Sequence, residues 1–454
     1  MEKIKKGVTS YIDGFLNGDI KTRLSYVIMG ASNILNKQYV RAITFMTIQV
    51  FGLIYLFGYG FKQIGGLATL GTTLQGKVFD EDRGIYIYTQ GDNSMMMLLM
   101  GVIAIVILLG LIGIYYLNIK NAHENKRLID AGKKVPTFKD DIKTLLDEKF
   151  HITVLTLPTI LTFTFTILPL IFTILIAFTN FDRNHQPPGS LFTWVGLTNF
   201  KNMFYQNPLI SNTFFKLLGW TFTWAFFATF VNYILGMLLA ILINSKNIKI
   251  KKMWRTLFVI TIAVPQFVSL LLMSQMLGDH GALNVLLREI GIIGPKASIK
   301  FLTDPSLARI SVIVVNCWVG IPYSMLITTG ILMNIPKDMY ESADIDGASG
   351  FIKFIKITLP YMLNVTAPYL ITQFVSNINN FNVIYLLTAG GPLTLDYYNG
   401  GKTDLLVTWL FKLTVNQNDY ALAATLGIII FAISATLSLL VFNRVLSKME
   451  GEFK

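Results

Sequence analysis

The sequence predicts an all-α integral membrane protein with eight transmembrane helices. Three observations carry this. Charged residues make up 14% of the 454 positions, against about 25% in ordinary globular chains. Apolar residues reach 53% and the mean hydropathy is +0.55. Apolar stretches also recur along the chain at the length a spanning helix needs, about 20 residues for a hydrocarbon core about 30 Å thick. The same composition excludes disorder, collagen and coiled coil, which need charge or a short repeat. A single cysteine, Cys317, excludes a disulfide framework and a Cys-based zinc site. The four histidines (His123, His151, His185, His280) are too scattered to suggest a metal cluster.

Cutting the chain at its charged residues gives the spans in order. They are 42–62 (ending on Lys62), 93–119, 150–181, 217–245, 256–278, 310–336, 357–395 and 420–443. The shorter stretch 184–200 contains Gln186, Pro187, Pro188 and Gly189 and reads as a loop. The 357–395 stretch exceeds one span. Its tail, Thr388-Ala389-Gly390-Gly391-Pro392, is turn chemistry, so the helix is expected to stop before it.

Lysine and arginine in the connections orient the spans. With the N-terminus inside, the inner segments hold 26 Lys and Arg and the outer ones 11, with Lys216 near the outer end of the fourth span. Both termini are then cytoplasmic. The net charge of +12 is a positive-inside signature, so no nucleic-acid partner is needed. Lys246, Lys249, Lys251, Lys252 and Arg255 form an acid-free run suited to a lipid surface. Residues 1–41 are expected to remain as a cytoplasmic segment, since no small-residue cleavage pattern follows the first span.

Catalytic chemistry is missing. Apart from Lys62 at the end of the first, the spans lack Asp, Glu, Lys and Arg, which argues against a proton relay. Gly401-Lys402-Thr403 imitates the end of a phosphate-binding loop, but the required first glycine is Asp396.

The connection 336–360 is unlike the others. Pro336 suits a helix start, and Lys337 through Ile345 can form a short helix. Asp346-Gly347 breaks it with a sharp turn. Phe351, Phe354 and Ile355 mark one face of a second short helix, and Pro360 opens the next span. Two spans also carry polar faces. Gln373, Asn377 and Asn380 are spaced i, i+4, i+7, and Asn316, Gly320 and Tyr323 repeat that spacing. Amides supply donors and acceptors together, and Tyr323 or Trp318 offers a flat apolar surface beside them. A glycine at 320 would leave room for a ring. Asn232, Pro265 and Cys317 read as packing or kink residues.

The loop resembles the EAA loop of permease subunits of binding-protein-dependent ABC importers. Glu341, Ser342 and Ala343 stand at its start, then Gly347, then Ile357-Thr358-Leu359-Pro360, with Ser342 the one departure. Further motifs are similar to the maltose/maltodextrin permease of the first-subunit type. They are Trp318-Val319-Gly320-Ile321-Pro322-Tyr323, Asn377 through Asn382, Leu386 through Pro392, and Thr403 through Val407.

This resemblance implies an ABC importer permease fold: a cytoplasmic segment 1–41, an extra pair of spans with a cytoplasmic linker over 42–150, and a six-helix core over 151–454. It implies sugar contacts at Gly320, Tyr323, Gln373, Ser376, Asn377 and Asn380. ATPase coupling would fall to Glu341, Ser342, Ala343, Asp346, Gly347 and Ala348. The chain itself would be no enzyme and hold no cofactor, since ATP and Mg would sit in two partner ATPase subunits. A second, homologous permease and an extracellular solute-binding protein complete the expected assembly in a cell membrane. The 180–212 connection has only 33 residues and resembles the short versions of Gram-positive bacteria, where the binding protein is lipid-anchored. The substrate class implied is malto-oligosaccharide. Another oligosaccharide, or a secondary sugar transporter needing no ATPase, stays open at this point.

Overall fold

The computed structural model describes residues 15–16, 18–245 and 248–452, with Val78 and 441–452 described by backbone alone. Most of the 1–41 segment's first half, Lys246 of the basic run, and Phe453 and Lys454 lie outside the described residues.

The chain divides into two compact units, Met1–Val195 and Gly196–Lys454. Three long apolar helices build the first: Tyr39–Gly66, Ser94–Asp130 and Phe150–Ile176. Only 6% of the most apolar window of Phe150–Ile176 is buried. An apolar helix so exposed suits lipid, where every backbone group must be satisfied within the helix. Before the first span, the short helices Ile20–Leu24 and Ala31–Leu35 are tied to the end of Ser94–Asp130 by amides. Asn118 accepts from the Gly30 N–H (2.8 Å) and donates to the Ser25 carbonyl (2.9 Å). Asn33 and Asn125 both donate to Gln38 Oε1, at 2.8 and 2.9 Å.

One element departs from the all-α expectation. Gly76–Asp80 and Ile85–Thr89 pair as an antiparallel hairpin, with Val78 opposite Ile87. Asp80 Oδ1 accepts from the Asp82 and Arg83 N–H groups, and Gly84 takes φ +62° to close the turn. The β-branched and aromatic run Ile85-Tyr86-Ile87-Tyr88-Thr89 was the available signal.

In the second unit, three helices are long and apolar enough to cross a membrane: Pro208–Asn244, Pro305–Leu332 and Tyr420–Leu440. The last belongs to a helix that continues to Glu452. A fourth candidate is broken: Lys251–Ala263 and Gln266–Met276 meet at 86°. Pro265 explains the break, because it lacks an N–H and forces Val264 into extended backbone, φ −77° and ψ 126°. The protein thus has six such helices among the described residues, or seven if the bent pair is one span. The 357–395 stretch forms Leu359–Ile378 and then Phe381–Thr388. Leu359–Ile378 is long enough to cross, but Asn364, Gln373 and Asn377 make it more polar than the six.

Pro208–Asn244 packs along Pro305–Leu332. A Cβ on Gly236 would lie 2.5 Å from Ser324 Cβ, so the glycine sets how closely the two backbones approach. The core is aromatic and aliphatic. Trp409 joins Met203, Phe214 and Leu426 in one cluster, and Trp224 joins Leu270, Val312 and Val383 in another.

Candidate functional site: an amide-lined cavity

Within the second unit, four segments border one cavity of ≈ 370 Å³, in the size range of small-molecule sites. They are Pro208–Asn244, the break at Val264-Pro265, Pro305–Leu332, and Leu359–Ile378 with Asn380 beyond it. All six residues assigned to sugar, Gly320, Tyr323, Gln373, Ser376, Asn377 and Asn380, line it, as does Asn316. Trp318 does not; it is exposed. The wall carries buried Asn232, Asn316, Ser324 and Asn377, while Tyr323 and Ser376 are exposed at its edge.

Two of the amides also hold the structure. Asn377 Nδ2 donates to Thr229 Oγ1 on the neighbouring helix (3.0 Å). Asn380 caps Phe381–Thr388, its Oδ1 accepting from the Val383 N–H (3.2 Å), and its Nδ2 donates to Asn377 Oδ1 (3.3 Å). Each keeps one further N–H.

Asn232 corrects the sequence reading. It is not a remote packing residue: it lines the same cavity. Gly320 has a packing role that the sequence reading lacked: a Cβ there would lie 2.3 Å from Asn232 Nδ2, so the missing side chain makes room for this amide. The signal was available as an Asn within an apolar span, but only packing shows which face it takes. Pro265 kinks its helix as expected, and the break it makes also lines the cavity. Cys317 does not line it.

The 336–360 loop forms the helix Lys337–Ile345, then a turn at Gly347 with φ +73°. The Ala348 N–H donates to the Ala343 carbonyl (2.9 Å), the closing bond of a left-handed helix end. Gly350–Lys353 runs on through one wide turn into Leu359–Ile378. Tyr340 Oη and Thr358 Oγ1 are 2.8 Å apart, and Lys353 pairs with Asp344, fixing the two arms. Glu341, Ser342, Asp346 and Gly347 are exposed, and Ala343 and Ala348 are half-buried. Ile345 is 88% exposed, an apolar side chain left uncovered.

The Thr388–Pro392 and Thr403–Val407 motifs meet. Asp404 is fully buried and accepts from Lys412 Nζ (2.5 Å), the Gly401 N–H (2.7 Å) and Thr408 Oγ1 (2.8 Å). Burial pushes its carboxyl above the ordinary range while the Lys412 ammonium opposes. A Cβ on Gly390 would fall 1.8 Å from Asp404 Oδ1, so only glycine fits there. Thr403 is also buried, donating to the Gly391 carbonyl (2.5 Å), so Gly401-Lys402-Thr403 is not open to a phosphate. Among the described residues no three metal-ligating side chains gather.

A polytopic helical unit with a bent helix, a polar cavity and an exposed two-arm loop is the build of a membrane permease. The chain matches the family described as "Binding-protein-dependent transport system inner membrane component" over residues 232–449. The galactooligosaccharides transport system permease protein GanP of Bacillus subtilis (strain 168) is 35% identical over 420 residues, 90% of this chain and 94% of that one. The maltodextrin transport system permease protein MalC of Streptococcus pneumoniae serotype 4 is 35% identical over 432 residues, 93% and 95%. A solved bacterial ABC transporter involved in the import of the acidic polysaccharide alginate aligns with a TM-score of 0.51 at 20% identity, covering 67% of this chain and 98% of that one, a likeness of fold. The chain belongs to the family of binding-protein-dependent transport system inner membrane components, which includes the maltose/maltodextrin permeases its motifs resemble. It is a membrane transport subunit and not an enzyme, as its relatives are.

Proposed function

We propose that the chain is the first permease subunit of an ATP-driven importer for malto-oligosaccharides. The observation that carries this is the cavity: six positions assigned to sugar from sequence border one space. Its amides offer donors and acceptors to hydroxyls, and Tyr323 offers a ring to an apolar sugar face. Sugar delivered by an extracellular, lipid-anchored binding protein would enter between this chain and a second, homologous permease. Two ATPase subunits would bind ATP and Mg, dock on Glu341, Ser342, Ala343, Asp346, Gly347 and Ala348, and switch the pair between outward- and inward-facing states. The exposed Ile345 suits such a partner.

The same reading takes eight spans in the cell membrane of a Gram-positive bacterium, with both termini cytoplasmic. The bent pair is the fifth span, and Leu359–Ile378 is the seventh, its polarity reflecting the cavity it lines. The 42–150 region is an extra pair of spans, and 151–454 is the six-helix core. Galacto-oligosaccharide is the second reading, favoured by the 35% identity to a galactooligosaccharide permease over 90% of this chain.

Uptake of labelled α-1,4-glucosyl and β-1,4-galactosyl oligosaccharides by cells carrying the intact importer tests both. Saturable, ATP-dependent uptake of the glucosyl series supports the first reading. Uptake confined to the galactosyl series selects the second.

A further inference from the structure

At the end where Pro208–Asn244 and Pro305–Leu332 begin, three cations border one open pocket of ≈ 380 Å³. They are Lys216, Arg309 and Lys402, with Pro305 and Tyr397 completing its wall. Lys216 immediately precedes the uncharged stretch 217–245, and Arg309 the uncharged stretch 310–336. Both therefore stand where their spans leave the hydrocarbon. Two buried rings support the cations. Arg309 lies over Trp220, 4.7 Å from the ring centroid, and Lys402 and Lys216 lie 4.3 and 5.7 Å from the centroid of Tyr397. Trp220 is itself fixed, its Nε1 donating to the Thr403 carbonyl (3.1 Å).

The Arg309 guanidinium is oriented from behind. Its Nε donates to the Lys402 carbonyl (2.8 Å), while its two terminal nitrogens make no hydrogen bond among the described residues and are not sealed from solvent. Neither Arg309 nor Lys216 has an acidic partner among the described residues. Lys402 meets Asp396 at 3.4 Å, but that side chain is 69% exposed and water screens the pair. Asp304 is occupied in capping the helix of Arg309, and Asp404 is held by Lys412 (2.5 Å). Like charges gathered at one pocket repel, and an anion between them relieves this. A planar fork with two open donors matches two oxygens of a phosphate, and lysines add point charges beside it. We infer that this pocket binds a phosphate group, held by the Arg309 fork with the Lys216 and Lys402 ammoniums alongside. An anionic lipid headgroup and free phosphate share that chemistry. The level of the pocket, at the ends of two spans and beside Trp220 and Tyr397, favours the headgroup. The inference goes beyond the sugar reading and makes no use of the amide cavity.

The test is isothermal titration calorimetry on the intact importer in uncharged detergent. Short-chain phosphatidylglycerol is one titrant and inorganic phosphate at matched ionic strength the other, with short-chain phosphatidylcholine, which has no net charge, as the control lipid. Arg309→Gln is expected to weaken phosphatidylglycerol binding roughly 10- to 150-fold, the span of a hydrogen bond to a charged group. Lys216→Gln, a change to an exposed side chain, is expected to weaken it roughly 5-fold. Arg309→Lys keeps the charge and loses the fork, so it should fall between the wild type and Arg309→Gln. Weakening seen with phosphatidylglycerol alone upholds the site and identifies a lipid headgroup. Equal weakening with inorganic phosphate upholds it and identifies the free anion. If Arg309→Gln and Lys216→Gln bind both titrants as the wild type does, or the wild type binds neither, the assignment is overturned and the cations only pack on their rings. Should Arg309→Gln fail to assemble, Lys216→Gln carries the comparison. Sugar does not enter the measurement, so failure of the sugar reading leaves its result standing.

Discussion

A single missing carbon at position 320 decides how the cavity is built. Gly320→Ala puts a Cβ 2.3 Å from Asn232 Nδ2, well inside contact distance, and that amide cannot move without losing its bond to Ala228. Uptake by Gly320→Ala is expected to fall, and Asn232→Ala added to it should cost less than it does alone, since the clash is gone. Additive losses in the double-mutant cycle would contradict the contact. Asn377→Ala and Asn380→Ala are expected to slow uptake at constant membrane content. A hydroxyl left unpaired in a closed site costs about 1–3 kcal/mol, roughly 5- to 150-fold. Thr223, exposed on Pro208–Asn244 with its hydroxyl donating to the Gly219 carbonyl one turn back, is the control, and Thr223→Ala should transport normally. Uptake by all three cavity variants at the control's rate would place the site outside this chain.

Among the elements, the 336–360 loop and the 388–412 segment are held by opposite means. Gly347 has open space around it, so what it supplies is its left-handed φ of +73° rather than room. Replacement by Asn, which tolerates that conformation, should leave ATPase retention near wild type. Ala should weaken it by the strain alone, on the order of 1–2 kcal/mol. Asp adds a charge at the proposed docking surface and should weaken it most. Copurification of ATPase subunits with the tagged permease measures this, and equal retention by all three would remove Gly347 from the coupling role. The 388–412 segment depends on burial instead. Asp404→Ala strands the Lys412 ammonium in the interior, at a cost of about 3–5 kcal/mol. The solubilised complex is expected to melt at a lower temperature, and Asp404→Asn with Lys412→Met should recover part of the loss. A single Asp404→Ala variant melting with the wild type would refute the pairing.

For the molecule as a whole, the 26-to-11 bias in Lys and Arg predicts which connections face the cytoplasm. Reporters fused after Lys149 and Lys252 are expected to read cytoplasmic, and those after Gln206 and Lys300 extracellular. A reporter after Lys252 reading extracellular would overturn both the orientation and the pairing of the bent helices as one span. The break at Pro265 is where that pairing is most exposed to test, since each arm alone is too short to cross: Lys251–Ala263 has 13 residues and Gln266–Met276 has 11.

The sequence by itself determined the membrane class, the position of most long helices, the short helix Lys337–Ile345 with its turn at Gly347, and the polar faces of two spans. These are local properties. Hydropathy over one span's length, a glycine at a turn, and an i, i+4, i+7 spacing need no knowledge of the rest of the chain. The hairpin Gly76–Asp80 with Ile85–Thr89 was also legible locally, hidden by a count that looked only for apolar runs. Tertiary structure alone decided which polar residues share a space. Asn232 stands 84 to 148 positions before Asn316 and Asn380 in the sequence, and nothing within its own span marks its face. A wide turn just before it in its own helix rotates it toward the cavity wall, while a proline break and a glycine that admits its amide, both on segments distant in the chain, complete that wall.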